Sequence, residues 1–147
     1  MSKIFLTGVF LCVACSSGEH EVALNGPWTW PGATCASDRL EIGNDAITAV
    51  LSGESRKVYL VDGVERVPNT SDQFVMDLRV LPQKGLPAES LRYLKETEGA
   101  HSMTVRVDDD RMEPLLISIG ANYQRLGPDS YAYKEFSLQR CPSSALS

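Results

Sequence analysis

The sequence predicts a mainly β protein, a small antiparallel barrel or sandwich with at most one short helix. Three observations lead there. Apolar residues alternate at period two in successive runs: Leu40/Ile42, Ile47/Ala49/Leu51, Phe74/Met76/Leu78/Val80, Met103/Val105/Val107 and Leu115/Ile117/Ile119. That period gives each run one face for a core and one for water. Turn-forming pairs separate the runs at short intervals, as Asn44-Asp45, Gly53-Glu54, Asp62-Gly63 and Asp109-Asp110 do. Size is the third observation. Removing Met1 to Ala14 from 147 residues leaves 133, enough for one domain with a sizeable core and hardly for two.

Those first residues read as a processing segment. Lys3 is the only charge among Met1 to Gly18, and Ile4 to Val13 is a nearly unbroken apolar run of ten. Ten residues suit the apolar part of a secretory signal and fall short of the roughly 20 that span a bilayer. The exit reads Leu11-Cys12-Val13-Ala14-Cys15-Ser16-Ser17-Gly18. With a small residue at Ala14 directly before Cys15, it resembles the lipobox of bacterial lipoproteins. Cys12 stands where that family usually has Leu. The resemblance implies that Cys15 is lipidated, carrying palmitate-type chains, and becomes the mature N-terminus. Ser16 after it implies the outer membrane. The rival reading is ordinary cleavage between Ala14 and Ser17, releasing a secreted or periplasmic protein.

Cysteine parity bears on that choice. The cysteines are Cys12, Cys15, Cys35 and Cys141. If Cys15 carries lipid, Cys35 and Cys141 remain as one pair; otherwise an unpaired thiol is left in an oxidising compartment. A Cys35–Cys141 disulfide is expected, tying the two ends of the domain together. Residues 15–25 then form a lipidated cysteine and a polar tether, 26–141 a single β domain and 142–147 a loose Ser-rich tail.

The domain opens on Gly26-Pro27-Trp28-Thr29-Trp30-Pro31-Gly32, too rich in Pro and Gly for a helix. Trp28 and Trp30 share a face if the segment is extended, and either closes a core or stacks on a ligand. Leu24, Gly26 and Trp28 resemble the Gly-x-Trp start of lipocalins and other calycin barrels. The resemblance implies a lipocalin-like barrel with Trp28 plugging one end.

Strands are then expected over Asp38 to Gly43, Ala46 to Ser52 and Arg56 to Val61. Asp62-Gly63 reads as a type I′ hairpin turn, leading back through Val64 to Val67. Phe74 to Leu81 is the next strand. Ala88 to Glu98 is ambiguous: Ala88, Leu91 and Leu94 form a helical stripe, while Leu91 and Tyr93 alternate. Strand is slightly preferred. Strands follow around Met103 to Val107 and Leu115 to Ile119, then a loop from Gly120 to Ser130. A last strand is expected over Tyr131 to Arg140.

Composition excludes more than it identifies. The 13 basic residues left after Lys3 are dispersed among 19 acidic ones, a net charge of −6, and offer no phosphate-binding patch. A nucleic-acid partner is therefore not expected. His20 lies in the tether and His101 reads as an exposed turn. No nucleophile elbow, metal motif or phosphate loop is present. Asp108-Asp109-Asp110 reads as a turn rather than a calcium loop. No catalytic residue, metal ligand or cofactor is assigned. The functional expectation is a non-enzymatic binding module in the cell envelope, taking a small apolar ligand or a protein. The alternative is an inhibitor, immunity or assembly factor acting by protein–protein contact.

Overall fold

A computed structural model describes residues 23–85, 88, 92, 95, 96 and 98–146. Residues 1–14, read as a signal and including Cys12, lie outside them, as do Cys15 and His20. The chain forms β1 (Gly26–Thr29), β2 (Asp38–Ile42), β3 (Ala46–Leu51), β4 (Glu54–Arg66), β5 (Gln73–Val80), β6 (Ala100–Asp108), β7 (Arg111–Ile119), β8 (Asn122–Arg125), the helix α1 (Tyr131–Phe136) and β9 (Leu138–Arg140). Each neighbouring pair is antiparallel. The sheet closes through β7 to β9 and β9 to β1, making an eight-stranded barrel with β8 appended to the outer half of β7. The expected small antiparallel barrel is the fold.

Most of the period-two runs point inward as expected, but Leu51, expected to share the inward face of Ile47 and Ala49, is exposed at the end of β3. Leu40, Ile42, Ile47, Phe74, Met76, Leu78, Met103, Val105, Met112 and Leu138 are buried in one cluster with Trp28 and Phe136. Large side chains, not small ones, fill the barrel axis.

Several local expectations change. Asp62-Gly63 is not a hairpin turn. Glu54–Arg66 is one 13-residue strand, and the register slips between Val61 and Gly63. The extra residue, Asp62, is a bulge whose carboxylate takes a two-point bond from Arg79 at 2.7 and 2.8 Å. The bulge bends β4 where it passes from pairing β3 to pairing β5, and such bends need one surplus residue. The tight hairpin lies instead at Ser52-Gly53, where both residues have positive φ (51° and 83°), as a primed turn requires.

The slightly preferred strand over residues 88–98 is also overturned: Ala88, Arg92, Lys95 and Glu96 are helical. Gly120 to Ser130 is not all loop, since it contains β8. The last expected strand shrinks to Leu138–Arg140 because Tyr131–Phe136 is a helix. Ser130 caps it, its hydroxyl accepting from the Tyr133 N–H at 3.2 Å, and the Ser137 N–H closes it on the Tyr133 carbonyl. Ala132 and Phe136, four apart, give it an inward face.

At the ends, Leu24 is buried, so the domain begins before Gly26. Ser143–Leu146 forms a 3-10 turn within the segment read as a loose tail. Cys35 and Cys141 are joined in a disulfide, with their Cα atoms 5.8 Å apart. It ties the loop after β1 to the end of β9, at the seam where the barrel closes.

Candidate functional site

The two ends of the barrel differ. At one end the N-terminal turn closes the interior. Trp28 is fully buried, and its indole N–H donates to the Leu24 carbonyl at 2.8 Å. Arg140 lies directly opposite Trp28 in the β1–β9 register, and its guanidinium sits 4.1 Å from the Trp28 ring centroid. The same guanidinium donates to the carbonyls of Ala23 at 2.6 Å and Asn25 at 3.1 Å. One cation thus satisfies the backbone of the entering turn and stacks on the tryptophan beneath it. Burial lowers the Arg140 pKa, and nearby Asp110 opposes that shift.

Strand β1 runs from this closed end to the mouth, where Trp30 lies. Trp28 and Trp30 therefore share a face but serve opposite ends. The Trp30 indole donates to the Glu135 backbone carbonyl at 2.9 Å, pinning α1 to the rim. Beside it the Tyr59 hydroxyl donates to the Glu135 carboxylate at 2.7 Å. The Tyr59 ring packs on Phe136 (centroids 5.6 Å apart) and edge-on against His101 (5.9 Å, 70°). The loop after β1, β4 and β6 each contribute one member, and α1 contributes two, Glu135 and Phe136.

His101 is therefore not on an exposed turn. It pairs with Leu78 across β5 and β6 and so faces inward, continuing the row Met103, Val105, Val107 by one more step. Its Nδ1 lies 3.2 Å from the Gly99 carbonyl, which places the ring proton on Nδ1 and leaves Nε2 as an acceptor. Burial lowers its pKa below the ordinary 6.5, with the Gly99 bond opposing, so the ring is neutral at pH 7. Burial raises the Glu135 carboxyl above its ordinary 4.5, opposed by the Tyr59 bond. The Glu135 charge in turn raises the Tyr131 phenol, one helical turn away.

Comparison with protein-family models, curated proteins and solved structures finds no match for this chain.

His101 bonds to a backbone carbonyl, and no hydroxyl or carboxylate among the described residues is hydrogen-bonded to it. No three of His, Cys, Asp or Glu gather as metal ligands among the described residues. What the mouth does offer is a half-buried carboxylate in aromatic surroundings.

Sequence reasoning named Trp28, Trp30, Cys35 and Cys141, but missed Tyr59, His101 and Glu135 as a group. Two of the three were within reach of period two: extending the Met103 row back reaches His101, and stepping back from Val61 reaches Tyr59. Glu135 was hidden by reading its helix as a strand.

Proposed function

We propose that the protein is an envelope lipoprotein, anchored through Cys15, that acts as a non-enzymatic binding module and docks a protein at the barrel mouth. The observation that carries this reading is the distribution of exposed apolar side chains. Leu51, Tyr123 and Tyr131 are the large apolar residues exposed among the described ones, at 53%, 75% and 81%. Leu51 ends β3 at the mouth, Tyr123 lies two residues past the β7–β8 turn there, and Tyr131 begins α1 beside Glu135. Exposed aromatics around a partly desolvated polar centre are the usual anatomy of a docking surface.

The filled interior supports a rim site over a ligand held within the barrel. Trp28, Phe136, Met76, Leu78 and Met103 occupy the space that a lumen ligand needs. A protein target also favours the inhibitor, immunity or assembly reading over a carrier of small apolar molecules.

Site-specific photocrosslinking in intact cells tests the docking. A crosslinker at Tyr131 is expected to give a discrete protein adduct, and one at Asn44, on the turn at the closed end, is not. Equal adducts at both positions, or none at Tyr131, would overturn docking at the mouth.

A further inference from the structure

We infer that the Glu135 carboxylate is a binding site for an organic cation, an ammonium or guanidinium group entering the barrel mouth against the Tyr59 ring. The inference deepens the docking proposal by naming the chemistry its centre takes, and it rests on that reading only for the source of the cation.

Glu135 has no counter-charge among the described residues. Burying a carboxylate is costly unless a cation or several donors compensate it. Among the described residues even half-exposed acids have cations: Glu41 pairs with Arg39, Asp62 with Arg79, and Asp72 and Glu113 with Arg106. Those acids are more exposed than Glu135 and need a partner less. Glu135 has one phenol, from Tyr59, and among the described residues no Lys or Arg nitrogen pairs with it. Its neighbour in sequence, Lys134, is exposed on the outer side of the helix. The carboxylate therefore has one oxygen engaged and charge left over.

The side chains next to Tyr59 also suit a cation. Tyr59, whose hydroxyl meets the carboxylate, packs its ring against Phe136 and His101, and an aromatic face attracts a cation most strongly where water is scarce. His101 in its neutral form adds an acceptor at Nε2 and no repelling charge. The Tyr131 phenol stays protonated and cannot compete as an anion. The Trp30 bond to the Glu135 backbone carbonyl anchors the segment of α1 that carries the carboxylate. An anion is repelled here, and a neutral alcohol gains no charge term.

The same chemistry comes from a free amine or from a Lys or Arg side chain of a partner. The test separates them with n-butylammonium and N-acetylarginine amide, using n-butanol and butyrate as neutral and anionic controls. Ring resonances of Tyr59 and His101 are followed by NMR. A saturable shift is expected with at least one cation and with neither control. It should weaken as pH falls, because protons compete for Glu135. Glu135→Gln is expected to weaken binding about ten-fold or more while keeping the Tyr59 bond through its amide oxygen. Tyr59→Phe keeps the carboxylate and is expected to retain most of the affinity. A response confined to the arginine derivative assigns the site to a partner's side chain, and one confined to butylammonium assigns it to a small amine. No saturable shift with either cation, an equal shift with butanol, or an unchanged shift in Glu135→Gln overturns the cation site. Such a failure leaves the Tyr131 crosslinking result untouched, so the two readings fail separately.

Discussion

At the scale of single residues, His101 and Glu135 share one aromatic neighbour and pull the pH dependence of stability in opposite directions. His101 has a lowered pKa when folded, so the unfolded chain binds its proton first. Its contribution is present above about pH 6.5 and is lost as pH falls toward the folded value. Glu135 has a raised pKa when folded, so the folded chain binds its proton first. Its burden is present at neutral pH and is relieved as pH falls toward 4.5. The two partly cancel in that window. Urea unfolding at pH 5 and pH 7 exposes the cancellation. Glu135→Gln is expected to lose more stability on acidification than the parent, and His101→Phe is expected to lose less. Parallel pH profiles in all three proteins would contradict the assignment. His101 was legible in the sequence as the next step of an alternating row. Its depressed pKa was not, because desolvation depends on what packs over the ring.

At the scale of elements, β9 is the weakest closure of the barrel. It has three residues, meets β1 at Trp28 and Thr29, and meets β7 at Arg111 and Met112. Pro114, which has no N–H to donate, sits in β7 between the part paired with β9 and the part paired with β8. So short a seam is reinforced covalently by Cys35–Cys141, which spans 106 residues of sequence. Replacing both cysteines by serine is expected to lower the unfolding free energy by about 3–5 kcal/mol in denaturant melts. A loss of a few tenths would show that the seam holds without the bridge. The pairing was expected from cysteine counting together with the place of Cys35 and Cys141 at the two ends of the domain. The helix before β9 could not, since Tyr131, Tyr133 and Phe136 favour a strand by intrinsic preference. The Ser130 cap and the inward demand of Ala132 and Phe136 decide otherwise.

At the scale of the molecule, the two ends of the barrel divide the labour. The chain enters at the closed end, where Arg140 holds the carbonyls of Ala23 and Asn25. With lipid on Cys15, seven residues lie between the anchor and Ala23, and the eight Cα–Cα steps reach at most about 28 Å. On this proposal the closed end faces the membrane and the mouth faces away from it, toward a partner. Mass spectrometry of the mature protein is expected to show a chain beginning at acylated Cys15. An unmodified Cys15, or cleavage beyond it, would remove the anchor and the orientation together.

The sequence by itself determined the architecture class, the inward residues of most strands and the disulfide, because period-two burial and cysteine parity are local or countable properties. Tertiary structure decided the rest. Asp62-Gly63 became a bulge rather than a turn because β4 must change partners there. Tyr59, His101 and Glu135 became one site because barrel closure brings β4, β6 and α1 to the same rim. Such a meeting has no signature in any single stretch of chain. It follows from how the strands are ordered around the barrel, which distance in sequence does not encode.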